Sequence, residues 1–144
     1  MSAMSNCHYR ISIKALILDD QNRFLLVREV KGMWGLPGGG LEHGETPEIC
    51  LTRELREEMG LEIVSIAPMP SYFITAKSED GSQIAYSIYK TEVTHLDFTP
   101  SDECLELRFI TPDEALQMGN VFSNIVEFAE LYRERNTTLE SIKL

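Results

Sequence analysis

Three glutamates, Glu54, Glu57 and Glu58, stand at i, i+3 and i+4 in a stretch of helical character, so their side chains share one helix face. Like charges at these spacings cost about 0.2–0.5 kcal/mol per pair in an isolated helix, and near a helix C-terminus the dipole also disfavours anions. A hard divalent cation removes both objections, because Mg²⁺ and Mn²⁺ take oxygen ligands and a carboxylate cluster offers several. The competing account is a solvated polar face opposite the apolar Leu51, Leu55 and Met59. The segment just upstream separates the two. Gly32-Met33-Trp34-Gly35-Leu36-Pro37-Gly38-Gly39-Gly40 is a shaped loop whose backbone can approach a ligand closely, and it leads straight into the acidic stretch. The histidines His8, His43 and His95 have no shared metal spacing, and no serine sits in a nucleophile-elbow pattern, so covalent catalysis is not indicated.

The elements that must position these groups are legible from periodicity. Tyr9 to Leu18 alternate and then become continuously apolar, and Arg23 to Val27 form a second such run after the turn-like Asp19-Asp20-Gln21-Asn22, which predicts a β-hairpin. Thr46 suits a helix N-cap, Pro47 the first helical position and Gly60 the position beyond the end, so the acidic helix covers residues 47–59. Strand-like runs follow at 62–66, 71–76, 83–93 and 105–110, with Asp80-Gly81 marking a hairpin turn. Thr111-Pro112 starts a short helix over 112–118. A longer one over 121–135 carries Val121, Ile125, Phe128, Ala129 and Tyr132 as its apolar stripe. Strands interleaved with few helices predict an α/β (α+β) sandwich with a mixed sheet, formed as one domain over residues 1–144.

Gly39, five residues, Glu45, seven residues and then Arg53-Glu54-Leu55-Arg56-Glu57-Glu58-Met59-Gly60-Leu61 resembles a complete Nudix box, the signature of the Nudix hydrolase family. The resemblance implies an α/β/α sandwich, Mg²⁺ (or Mn²⁺) as cofactor, and hydrolysis of the diphosphate linkage in a nucleoside diphosphate joined to another group. It implies metal binding by Glu54, Glu57 and Glu58, joined by the backbone carbonyl of Gly38. Arg53 would orient box glutamates, and by geometry alone it can pair with Glu57 at i,i+4. A further acidic residue is implied in a loop well after the box. Glu103 is the choice there as metal ligand, with its neighbour Asp102 as the alternative, and Glu103 or a box glutamate would accept the proton of the attacking water. The catalytic set is thus Arg53, Glu54, Glu57 and Glu103. Glu45, just before the helix N-terminus, interacts favourably with the dipole, so a structural role competes with a catalytic one. Trp34, Leu36 and Pro37 match the family's loop before the box, and Trp34 reads as packing. Gly38 and Gly39 are expected against the substrate. Phe122 and Asn124 are expected at the base, chosen from a wider set with Tyr72, Phe73, Tyr86 and Asn120.

Composition bounds the partners. Of 144 residues, 43% are hydrophobic, enough for a core, and 23 acidic against 13 basic residues give a net charge of -10. That balance disfavours a broad nucleic-acid surface and leaves a small anionic nucleotide in need of a cation as intermediary. Cys7, Cys50 and Cys104 show no CxxC spacing, so neither disulfides nor a zinc knuckle is indicated and a cytoplasmic location fits. The polar stretch Met1 to Arg10 does not read as a signal peptide, and no later run approaches a membrane span. For the substrate, Lys77 stands where many ADP-ribose enzymes of the family carry proline, and Ser78 and Glu79 where diadenosine polyphosphate enzymes carry tyrosine; the NADH-type signature is not found. The reading therefore leans to a MutT-like nucleoside triphosphate pyrophosphohydrolase. The alternatives are an ADP-ribose or other nucleotide-sugar pyrophosphatase, and a non-catalytic Nudix-fold nucleotide-binding module. Family members are often dimers, so a homodimer is compatible.

Overall fold

The structure, a computed structural model, describes residues 7–143; the start of the polar N-terminal stretch lies outside the described residues. In chain order its elements are β1 (Arg10–Leu16), β2 (Phe24–Arg28), β3 (Trp34–Gly35), β4 (Gly38–Gly40), α1 (Pro47–Met59), β5 (Ile63–Ile66), β6 (Tyr72–Lys77), β7 (Gln83–Val93), β8 (Glu106–Ile110), α2 (Pro112–Gln117) and α3 (Ser123–Lys143). β1 lies between β4, antiparallel, and β7, parallel, while β5 and β6 pair antiparallel with opposite halves of β7. A second, antiparallel sheet places β2 between β3 and β8. The sheet is mixed, as expected.

Burial on both faces explains why the first two strands read as continuous apolar runs. Ile13, Ala15 and Ile17 join Leu51 and Leu55 of α1 in one core cluster, whereas Leu16 joins Ile125 and Phe128 of α3 in another. On β2 the same alternation sends Leu25 and Val27 to the α1 side, and Phe24 and Leu26 to the α3 side. Helices on the two sides of the strands make the α/β/α sandwich. Among the described residues, no helix is long and apolar enough to cross a membrane.

Three expectations need correction. β1 and β2 do not form a hairpin ladder. Both edges of β1 are taken by β4 and β7, so β2 crosses to the second sheet, leaving a Leu18–Phe24 bridge and the Leu25 N–H bonded to the Ile17 carbonyl at 2.9 Å. The turn between them is real: the Asp19 carboxylate accepts from the Arg23 amide at 2.9 Å and from its guanidinium at 2.7 Å, and Asn22 takes φ 59°. The Gly-rich segment is not all loop, since β3 and β4 lie within it. α3 starts at Ser123 rather than 121 because Val121 is held in a bridge to Trp34, and it continues past 135 because neither Gly nor Pro interrupts it. The Asp80-Gly81 hairpin between β6 and β7 forms as expected, with Gly81 at φ 88°.

Candidate active site

α1 begins where the sequence placed it. The Thr46 hydroxyl accepts from the Ile49 N–H at 3.3 Å, Pro47 follows, and Gly60 closes the helix at φ 67° with its amide on the Arg56 carbonyl at 3.0 Å. Cys50, Leu51, Leu55 and Met59 are fully buried, and this stripe sets the helix rotation that turns Glu54 and Glu58 inward. Glu58 is 4% exposed, and its Oε1 accepts from the Gly38 amide at 3.1 Å. Burial pushes its carboxyl up to about 8; Glu54 and Glu103 push the same way, against the pull of Lys14 and the Gly38 amide. One carboxylate oxygen each from Glu54, Glu58 and Glu103 lies within 4.8 Å of the other two. Three converging oxygen donors, one of them buried and held protonated, suit a hard divalent cation whose charge would compensate all three.

Glu103 reaches this point through a pinned loop. The Ser101 hydroxyl donates to the Glu58 carbonyl at 2.6 Å and accepts from the Glu103 amide at 3.3 Å, while the Asp102 carbonyl accepts from the Val30 amide at 2.8 Å. Asp102 therefore serves the loop through its backbone, and the clustered carboxylate is that of Glu103.

Arg53 is the hub of the outer side. Its Nε and Nη2 donate to the two oxygens of Glu45 at 2.7 and 2.8 Å, Nη1 donates to Glu54 at 2.8 Å and to Glu57 at 3.3 Å, and Nη2 also reaches the Gly40 carbonyl at 3.1 Å. The bidentate partner holds the Glu45 carboxyl down to about 2, and the ion pairs raise the arginine above its usual range. Glu45 is thus an anchor for Arg53. Glu57 stands outside the three-carboxylate group, with 59% of its side chain exposed, yet it flanks the same guanidinium nitrogen as Glu54. The glycines make room. Gly38 lies at φ +128°, where a Cβ would meet the Ile13 carbonyl oxygen at 2.1 Å, and a Cβ on Gly39 would sit 2.5 Å from the Glu54 carboxylate.

Beside the cluster opens a cleft of about 210 Å³ lined by Glu58 and Gly38, with Tyr86, Phe122 and Asn124 also among its walls. Asn124 is 3% exposed. The Phe122 ring packs over Gly35, where a Cβ would approach to 2.8 Å. The other aromatic and amide candidates go elsewhere. Tyr72 packs edge-on against Phe128 at 5.2 Å, Phe73 is exposed, and Asn120 clips the loop by donating to the Gly32 carbonyl at 2.9 Å. Trp34 is core, as read, with the Arg108 guanidinium 4.8 Å from its ring centre. Sequence reasoning missed Arg10, Ser12 and Lys14, which line the cleft from alternate positions of β1, and Glu29, which follows β2. The signal was present: a polar residue at every second position of an otherwise apolar strand marks a face that meets something other than core.

The family model described as NUDIX domain matches residues 8–131. The chain belongs to the Nudix family. An RNA pyrophosphohydrolase of Saccharophagus degradans is 46% identical over 55 residues, which are 37% of this chain and 32% of that protein. An 8-oxo-dGTP diphosphatase of Proteus vulgaris is 42% identical over 60 residues, or 38% of this chain and 54% of its own length. The match thus spans about a third to a half of these curated relatives. A MutT protein structure from Methanosarcina mazei Go1 superposes with a TM-score of 0.78 at 23% identity, covering 92% of this chain and 99% of that one. That likeness concerns the fold, and it agrees with the Nudix sandwich described above.

Proposed function

We propose that this Nudix protein is a metal-dependent nucleoside triphosphate pyrophosphohydrolase that releases a nucleoside monophosphate and pyrophosphate. The observation that carries the reading is the convergence of Glu54, Glu58 and Glu103 within 4.8 Å, with Glu58 also lining a cleft whose walls include Tyr86, Phe122 and Asn124. Mg²⁺ or Mn²⁺ would be held by those three carboxylates with the Gly38 carbonyl, and by Glu57 on the outer side. Bound there, a divalent cation supplies charge neutralisation for phosphate oxygens and makes water acidic enough to act as a nucleophile. Glu103, on a pinned but exposed loop, accepts the proton from the attacking water. Arg53 is a positioning residue, because its bond to Glu54 fixes the direction of that carboxylate. The base lies against Phe122 and Tyr86, with Asn124 offering both a donor and an acceptor to its edge.

Incubation with Mg²⁺ and a panel of nucleoside triphosphates, ADP-ribose, NADH and dinucleotides, beside Glu57→Gln and Glu58→Gln controls, tests this. Pyrophosphate released only by the unmodified protein supports the proposal. Turnover of ADP-linked substrates alone would replace the substrate class, and metal-dependent nucleotide binding without turnover would replace hydrolysis with a binding role.

A further inference from the structure

Lys14 sits at the junction between core and cleft. Its register partners are Gly38 on β4 and Ile88 on β7, and two residues along the same strand face Leu16 is already core while Ser12 still lines the cleft. An ammonium offers three donors. Here Nζ donates to the Gly38 carbonyl at 3.2 Å, a neutral acceptor, while its charge acts on both Glu29 and Glu58. Its charge is thus balanced by carboxylates it does not directly bond, and among the described residues only one of its donors is engaged by a hydrogen bond, so the ammonium keeps donors for a further acceptor. A second polar residue lines the same cleft: Asn124, only 3% exposed. Both residues line the cleft together with Glu58, Tyr86 and Phe122.

The Gly38 carbonyl is also the oxygen that the proposed function gives to the cation. An ammonium and a divalent ion repel each other at one oxygen, and the ammonium is the mobile member because it hangs on a four-carbon stem. We propose that Lys14 is a phosphate-gripping residue that rests on the Gly38 carbonyl until a cation takes that oxygen, and then turns its ammonium into the cleft toward the diphosphate. The inference rests on the hydrolase reading for the identity of the anion, but its geometry does not. It makes cation and phosphate loading interdependent: the cation displaces Lys14, and the phosphate receives it on the side away from the carboxylates.

The test uses Lys14→Met and, in case the apolar side chain perturbs folding, Lys14→Gln, whose amide can still donate to the Gly38 carbonyl. Free Mn²⁺ is measured by electron paramagnetic resonance without nucleotide, and imidodiphosphate, a non-hydrolysable probe without a base, is titrated as its Mg²⁺ complex by calorimetry. Removing the competing charge is expected to tighten Mn²⁺ binding by about threefold or more. Loss of a charge-assisted contact is expected to weaken imidodiphosphate binding by about tenfold or more. A folded variant with unchanged Mn²⁺ affinity, or with unchanged imidodiphosphate affinity, overturns the assignment. If the unmodified protein hydrolyses no nucleotide and both shifts still appear, the hydrolase reading falls and the Lys14 assignment stands. If it hydrolyses nucleotides and neither shift appears, the reverse holds.

Discussion

At the scale of single residues, Glu58 decides most, because among the described residues it is the one carboxylate both buried and clustered. Its folded pKa of about 8 lies above the ordinary 4.5. Below the lower value both folded and unfolded chains hold the proton, and burial carries no charge penalty. As pH rises from about 4.5 to about 8, the unfolded chain releases that proton first, so the metal-free protein loses stability across that window. Glu58→Gln keeps an acceptor for the Gly38 amide without a charge. Without metal at pH 8 it is expected to melt several degrees above the unmodified protein, and to lose most of the pH dependence, while its Mn²⁺ affinity collapses. Melting curves at pH 5 and pH 8 check this, and an unchanged slope would refute it. Two neighbouring glycines are expected to behave differently from each other. Gly38→Ala drives a Cβ into backbone at 2.1 Å and should cost several kcal/mol, about the range of severe backbone strain. Gly39→Ala meets only the movable end of Glu54, so the fold should survive while Mn²⁺ affinity, read by calorimetry, falls by about tenfold as that ligand is pushed aside.

At the scale of elements, the site is one helix, one glycine-bearing strand and one loop, and they were not equally legible. α1 was readable to the residue because local chemistry sets both ends: a Thr cap, a Pro start and a left-handed Gly stop. The β6–β7 hairpin was readable for the same reason, since Asp80-Gly81 dictates its own turn. The β1–β2 connection was not, because strand pairing is decided by whichever edges remain open after long-range partners dock, and β7 lies far along the chain from β1. Glu57 illustrates a related limit. Helical spacing puts it on the face of Glu54 and Glu58, but the depth of burial along that face follows from packing, which leaves Glu57 outermost. Glu103 could be chosen by resemblance alone; its carboxylate lies beside those of Glu54 and Glu58, on a loop tied by the Ser101 hydroxyl at 2.6 Å from the Glu58 carbonyl. Ser101→Ala is therefore expected to cost about 1 kcal/mol of stability. It should also lower Mn²⁺ affinity several-fold by freeing the loop that presents Glu103. A loss of stability with full Mn²⁺ affinity would show that Glu103 needs no such anchor.

At the scale of the whole molecule, a chain of net charge -10 gathers several of its carboxylates at one site, so a cation bound there would act on the entire fold. A ligand that binds only the folded state adds about 2.7 kcal/mol at a hundred times its Kd, and that gain appears as a rise in melting temperature. On the proposed reading, proton and cation would compete for Glu58, whose carboxyl is pushed up to about 8. The stabilisation by a fixed Mn²⁺ concentration should therefore be small at pH 6 and grow toward pH 8, opposite in sign to the trend of the metal-free protein. The two curves should converge toward acid and separate toward base, and a chelator should return the second to the first. Calorimetric scans with and without Mn²⁺ at pH 6, 7 and 8 measure this directly. If the shift were the same at all three pH values, the cation would not be displacing a proton, and Glu58 would not be among its ligands.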